Sequence, residues 1–295
     1  MGSLISIITV HFNQLEMTDE FLKSISEVNY GAIEVIVVDN GSLKQPVKPL
    51  IKKYPEVKFI VNADNLGFAG GNNIGIRQAK GDYILLLNND TEVEPGFIEP
   101  LLSCFQENDR VGMVSPKIIY HGTDSIQFVG SGRISPYTGR SFRAHFKEKD
   151  SQEFSFRKPT EMLHGAALMV KREVIDKIGL LPEVYFLYYE EVDWCRQAKN
   201  AGFELWVVAD SIVYHKESMS IGKNSPFKTY YMTRGRLIYM RRNLKGIQFL
   251  SSLLFYILLT VPKNIFVYLL QKDFKNLGAF VKGIKWNFSN KISVY

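Results

Sequence analysis

Tyr83-Ile84-Leu85-Leu86-Leu87-Asn88-Asn89-Asp90-Thr91 is a five-residue apolar run cut off by four polar residues. A short run without polar alternation reads as a strand buried on both faces, the habit of parallel sheets flanked by helices. Ligands of such sheets bind beyond the carboxyl ends of the strands, which is where Asn88, Asn89 and Asp90 stand.

The segments on either side repeat this pattern. Residues 4–12, 34–39, 57–62 and 111–114 read as strands, and 14–28, 46–54, 69–79 and 95–108 as the helices between them. In 14–28, Leu15, Phe21, Leu22, Ile25 and Val28 recur at helical spacing. The alternation predicts an α/β fold with a Rossmann-like, mostly parallel sheet between helices. Between 121 and 160 the periodicity fades and Gly, Ser, Arg and Lys rise, which predicts a hairpin or lid near an acceptor. Helices over 171–178 and 191–201 follow, then a strand over 204–208.

From residue 225 the chain tends to helix, and we place a domain boundary there: 1–224 an α/β unit carrying the polar strand ends, 225–295 a basic, apolar helical appendage. Residues 250–261 are the strongest apolar run, and Pro262-Lys263-Asn264 is expected to break it before 265–270. Neither piece reaches the roughly 20 residues that span a bilayer. Lys272, Lys275, Lys282 and Lys285 recur around Phe274, Leu277, Phe280, Val281 and Trp286, so the region reads as helices lying on a membrane surface. A core-packing hairpin is the plainer alternative, and a kinked span a third.

Charge supports the same division. The 295 residues carry +6, but from Arg234 onward eleven Lys or Arg face one acid, Asp273, giving +10. The first 233 residues, with 25 basic and 29 acidic, carry −4. Because the positive charge shares a segment with the most apolar run, it points to anionic lipid rather than nucleic acid. Two cysteines, Cys104 and Cys195, suit a reducing compartment and exclude a disulfide framework or a Cys-based zinc site. No cationic leader precedes the first apolar stretch. Met1-Gly2-Ser3-Leu4-Ile5-Ser6 fits the loose myristoylation pattern, but a buried strand starting at Leu4 argues against it.

Four clusters could carry chemistry. Thr9–Asn13 and Val38–Ser42 end the first two strands; Asp39 there could take a hydrogen bond from a base or ribose, although Asn40-Gly41 is equally a plain turn. Asn62–Asn73 gathers glycines and asparagines where a helix N-terminus could face phosphate. Asp90 could hold a hard cation shared with a diphosphate, or simply cap a helix. In Tyr188-Tyr189-Glu190-Glu191-Val192-Asp193, three acids in four positions repel one another, which suits a general base. An acidic first helical turn would look the same. His215, after Ile212-Val213-Tyr214, could complete a metal shell that Asp90 leaves short. No Gly-x-Gly-x-x-Gly or Walker lysine loop is present, which disfavours a dehydrogenase or a P-loop enzyme.

Together these stretches resemble the family 2 glycosyltransferases of the GT-A fold, in particular their bacterial rhamnosyltransferase-like branch. The matching segments run in family order: 7–13, 34–42, 65–75, 83–97, 164–172, Ile178-Gly179, 188–196, Ala201-Gly202, and Val213-Tyr214-His215 with Ser220. The resemblance implies an inverting transfer of a hexose or rhamnose from a UDP- or dTDP-sugar to a lipid-linked or polysaccharide acceptor, at the cytosolic face of a membrane. It implies Asp39 on the base, and Val10, Asn13, Asn40, Asn65, Gly67, Gly70, Asn72, Asn88 and Asn89 around the donor. It places Mn²⁺ or Mg²⁺ on Asp90 and His215, the base at Glu191, and His164, Gly165, Tyr189 and Glu190 on the acceptor side. The sequence departs from the family in three places. Asn88 replaces the first carboxylate of D-x-D, Leu180-Leu181-Pro182-Glu183 replaces Gly-Phe-Asp-Glu, and Glu191 stands where the family has Asp, so Asp193 is a second candidate for the base. The C-terminal helices also offer an oligomerisation surface. Two rivals are a sugar-nucleotide pyrophosphorylase, whose basic Gly-rich loop 11–15 does not supply, and a membrane-associated carbohydrate-binding scaffold.

Overall fold

A computed structural model describes residues 2–132, 134–140, 142–143, 145–216 and 225–290. The domain boundary expected at 224 and the matching Ser220 lie outside these residues. The first half alternates as expected: β1 (Ile5–His11), α1 (Leu15–Ser26), β2 (Ile33–Asp39), α2 (Lys48–Lys53), β3 (Lys58–Val61), α3 (Gly67–Gln78), β4 (Tyr83–Leu87), β5 (Thr91–Val93), α4 (Ile98–Glu107) and β6 (Val111–Tyr120). Then come β7 (Ile126–Phe128), the small pair β8 (Ser131–Gly132) and β9 (Phe142–Arg143), and β10 (Arg157–Pro159). The chain continues through β11 (Ala167–Lys171), α5 (Arg172–Ile178), α6 (Glu190–Asn200) and β12 (Glu204–His215).

The main sheet has the order β10-β12-β6-β11-β4-β1-β2-β3, with β5 on β12 and β7 on β6. Alternate residues of each strand feed two cores. Ile5, Ile7, Leu85 and Leu87 meet Phe21, Leu22 and Leu101 of α1 and α4. Ile8, Ile36, Ile84 and Leu86 meet Ala69, Ile76 and Trp194 of α3 and α6. A sheet buried on both faces explains why the strands read as unbroken apolar runs.

Neither the short β5 nor β11 is anticipated. β11 lies between β4 and β6, antiparallel to both. Its reversed direction brings its first residue, Ala167, to the edge where β1, β2, β4 and β12 end. β6 and β12 are also longer than expected, and a bulge between Val208 and Ile212 joins into one strand what reads as two. The 121–160 excursion is pinned rather than lid-like where it is described: Arg236 donates to the Thr138 carbonyl and Ser252 to that of Pro136.

The glycines of 62–73 and beyond serve packing more than phosphate. A Cβ on Gly75 would come within 2.4 Å of the Ile8 Cγ2, and one on Gly71 within 3.0 Å of Val10. Helix α3 therefore lies unusually close to β1. Gly75→Ala should cost about 1–3 kcal/mol by overpacking, read as a lower urea midpoint at unchanged slope.

At the C-terminal end, α7 (Pro226–Asn243) is followed by α8 (Gly246–Phe255), a π turn over Tyr256–Thr260, α9 (Val261–Leu270) and α10 (Phe274–Ser289). The expected break at Pro262 does not occur: Gly246–Leu270 is one continuous 25-residue helix. Pro262 sits in the first turn of α9, and the wider π turn before it absorbs the missing N–H and the ring clash. At about 1.5 Å per residue the helix is long enough to cross a bilayer, and it is mostly exposed. Its covered side packs Tyr256, Leu253 and Val261 on Leu237 and Met240 of α7 and on Leu244 just after it.

Candidate active site

The strand ends converge on one cavity of about 540 Å³. Val10 and Asn40 reach it from β1 and β2, Asn88 and Asn89 from β4, and Ala166 from the start of β11. Glu190 and Glu191 come from α6, and His215 from the last position of β12.

Asp90 and His215 meet because of strand register. β5 pairs with β12 so that Thr91 lies opposite His215, and the Lys216 N–H donates to the Asp90 carbonyl. This leaves Asp90 Oδ1 3.1 Å from His215 Nε2, with both residues buried. Gln127 Oε1, on β7, lies 2.7 Å from His215 Nδ1, so Nδ1 carries the proton and Nε2 faces the carboxylate. A neutral ring with that tautomer turns a lone pair toward Asp90. A cation seated between Nε2 and the carboxylate would satisfy both contacts. A buried oxygen and a buried imidazole nitrogen oriented by an outer partner fit a divalent cation whose remaining ligands come from a diphosphate. No group of three or more protein ligands occurs among the described residues.

The acids line the same cavity from the first turn of α6. The backbone before them is strained: Phe186, Tyr188 and Tyr189 have φ of 65°, 66° and 77°. Each costs about 1–3 kcal/mol and persists only where its surroundings impose it. Glu190 is 3% exposed, and its Oε2 has no hydrogen-bond partner. Burial first, and the neighbouring Glu191 second, push the Glu190 carboxyl well above the usual range. Glu191 lies against Gly165, where a Cβ would come 3.6 Å from its Cγ.

A carboxyl raised in the folded state binds its proton more tightly there than in the unfolded chain. Stability is thus greatest below the unfolded value of about 4.5 and falls as pH rises through the folded value. Glu190→Gln should therefore melt higher than the wild type at pH 8, with the gap closing near pH 4.5, as differential scanning fluorimetry would show.

Several expected donor residues instead build the walls. The Asn40 side chain donates to Asn65 Oδ1 and the Gly67 carbonyl, and accepts from the Asn62 amide and the Leu66 N–H. That explains the asparagines around 62–65: they staple the turn into α3, while Asn40, Asn65 and Gly67 still line the cavity. Asp39 is brought not to the cavity lining but to the Ser42 and Val47 N–H groups. Asn13 accepts from the Lys44 and Gln45 N–H groups, and Asn72 donates to the Phe68 carbonyl. The atoms nearest a Cβ on Gly70 belong to Leu66. Asp39, Asn13 and Asn72 are loop or helix fasteners, because a buried polar group needs a partner.

Residues 6–179 match the sequence family described as Glycosyl transferase family 2. The chain belongs to that family. Among its relatives is the low-salt glycan biosynthesis hexosyltransferase Agl10 of Haloferax volcanii, 27% identical over 207 residues, 68% of this chain and 63% of that protein. This chain thus spans less than two thirds of that relative's length. The N-acetylglucosaminyl-diphospho-decaprenol L-rhamnosyltransferase of Mycobacterium tuberculosis is 24% identical over 245 residues, 76% of this chain and 80% of that protein. The crystal structure of GalNAc-T7 with UDP, GalNAc and Mn²⁺ superposes with a TM-score of 0.61 at 15% identity, over 85% of this chain and 54% of that one. It shares the GT-A fold.

Within this family 2 glycosyltransferase, two further residues expected at the site stand elsewhere. Asp193 is 1% exposed and ion-paired: its Oδ2 accepts from Arg242 Nε at 2.6 Å and from the Tyr185 hydroxyl at 2.7 Å. It is the anchor of α6, which removes it as an alternative base. Tyr189 packs with Tyr239 and Val192 rather than lining the cavity. His164 and Gly165 do line it. Sequence reading missed Gln127, on a three-residue strand within the irregular excursion, and the wall formed by Phe186, Tyr188, Phe227, Lys228 and Met232. The aromatic clustering at 186–189 was the signal for part of that wall.

Proposed function

We propose that this glycosyltransferase inverts configuration while moving a hexosyl or 6-deoxyhexosyl unit, such as rhamnose, from a UDP- or dTDP-sugar to a lipid-linked saccharide at the cytosolic face of a membrane. The observation that carries the reading is that one cavity is lined by both the Asp90–His215 pair and the Glu190–Glu191 pair. Glu191 accepts the proton of the acceptor hydroxyl. The freed oxygen bonds to the anomeric carbon as the bond to the diphosphate oxygen breaks, and the nucleoside diphosphate leaves with that electron pair. A divalent cation, Mn²⁺ or Mg²⁺, held by Asp90 and His215 would offset the charge of the departing diphosphate. Asp39, Asn13, Gly70 and Asn72 act by shaping the loops that Val10, Asn40, Asn65, Gly67, Asn88 and Asn89 present to the donor. His164, Gly165 and Glu190 meet the acceptor.

The lipid-linked acceptor is supported by the C-terminal helices. Ile257, Leu258, Leu259, Phe266, Leu269 and Leu270 are exposed on α8–α9, and Lys245, Lys263, Lys272, Lys275, Lys282 and Lys285 are exposed around them. The opposite side packs on α7, and Ser251 and Ser252 bond to the Tyr137 and Pro136 carbonyls. A helix held along the globular body favours lying in an anionic membrane surface over crossing it.

The test is a panel of UDP- and dTDP-sugars scored by nucleoside diphosphate release, with and without Mn²⁺, with isolated membranes supplying the acceptor. Membrane-stimulated, Mn²⁺-dependent release from one of these donors is expected. No release from any donor rejects the reading.

A further inference from the structure

The base helix α6 is attached to α7 more firmly than an anchor segment requires. The strained stretch 186–189 is gripped from two sides. On the α3 side, the Phe68 N–H donates to the Phe186 carbonyl at 2.7 Å, and a Cβ on Gly67 would come within 2.2 Å of that oxygen. On the α7 side, a Cβ on Gly235 would lie 2.9 Å from Tyr189 Cδ2 and 3.1 Å from the Tyr188 carbonyl. Arg234 donates to the Val184 and Tyr185 carbonyls, with its guanidinium 4.3 Å from the Trp286 ring of α10.

The second attachment is the buried Arg242–Asp193 pair, with side chains 4% and 2% exposed. Asp193 is also bonded to Tyr185 and Gln197, so the pair ties α7 to both the turn before the strained stretch and the body of α6. Glu190 is buried with an unpartnered Oε2, so hydration favours rotating the first turn of α6 outward, which would carry Glu191 away from Gly165. The grip of α7 opposes it.

We propose that Arg242, acting through Asp193, is a positioning residue for the base: it holds the first turn of α6 so that Glu191 stays at the cavity wall, which makes α7 part of the catalytic machinery. The inference rests on the proposed role of Glu191. A pair that only stabilised the fold would, on removal, weaken donor binding and turnover together. A positioning pair leaves the Asn40–Asn65–Gly67 part of the donor wall in place, because those residues are fastened to one another by their own bonds.

Full-length Arg242→Gln and Arg242→Lys are compared with the wild type by UDP and dTDP titration calorimetry, by kcat and donor KM in the release assay, and by backbone hydrogen exchange. For Arg242→Gln, kcat should fall by about 10²-fold with donor KM and nucleotide Kd nearly unchanged. Exchange of peptide 184–196 should accelerate by about 10-fold or more while β1 and β2 keep their protection. Arg242→Lys, which keeps the charge but not the planar fork, should recover part of kcat. If the Gln variant does not fold, the Lys variant should still show a lowered kcat at unchanged donor KM and faster exchange over 184–196. Unchanged kcat in a folded variant, unchanged exchange over 184–196, or parallel loss of Kd and kcat overturns the proposal. Absence of turnover in the wild type rejects the transferase reading instead, so the two failures are told apart.

Discussion

Glu191→Gln is expected to lower kcat by about 10³-fold while UDP and dTDP still bind with near wild-type affinity, because a general base contributes about 10²–10⁴-fold to such a step. Glutamine keeps the length and the hydrogen-bonding oxygen but cannot accept the proton, so the loss falls on the chemical step. Glu191→Asp tests reach: the shorter acid should retain measurable turnover. Glu190→Gln isolates the neighbour, whose raised carboxyl suits holding a proton toward the acceptor more than removing one. Stopped-flow release assays with saturating donor distinguish these variants. Near-normal turnover of Glu191→Gln would remove Glu191 as the base.

The second large effect is at Asp90. Asp90→Asn should cost about 10²–10³-fold in transfer, the scale of losing one preorganised electrostatic group at a developing charge. It should also abolish any Mn²⁺-dependent thermal shift seen with UDP or dTDP, which requires no turnover. His215→Ala should behave alike. Gln127→Leu should be milder, weakening Mn²⁺ affinity by about 10–100-fold, because it frees the ring tautomer without removing a ligand. A thermal shift that survives Asp90→Asn would place the cation elsewhere.

Much of this was legible in the residues. Strand runs ending in polar clusters, such as Leu85–Asn89, located both the sheet and its working edge. What was not legible is what tertiary partners decide. Asp39 and Asn13 look like ligand contacts because they are polar at strand ends; only the fold shows that backbone N–H groups of 42–47 consume them. β11 was hidden because its direction depends on which neighbours it pairs with. Pro262 reads as a breaker unless a π turn precedes it, and no local pattern announces one. Asp193 is different. Two residues along a helix turn about 200°, so Glu191 and Asp193 cannot face one cavity together, and helical spacing alone separates them once the start of α6 is known.

The register that seats Thr91 opposite His215 has a consequence for how the protein is made. The two halves of the Asp90–His215 pair leave the ribosome 125 positions apart, a delay of about 6–25 s at 5–20 residues per second. β12 also belongs in the interior of the sheet, between β10 and β6. Until it arrives, β6 is an open apolar edge on a nascent chain. The enzyme's charge-handling pocket and the closure of its sheet are therefore one late event in synthesis, and a chain stalled before residue 215 holds neither.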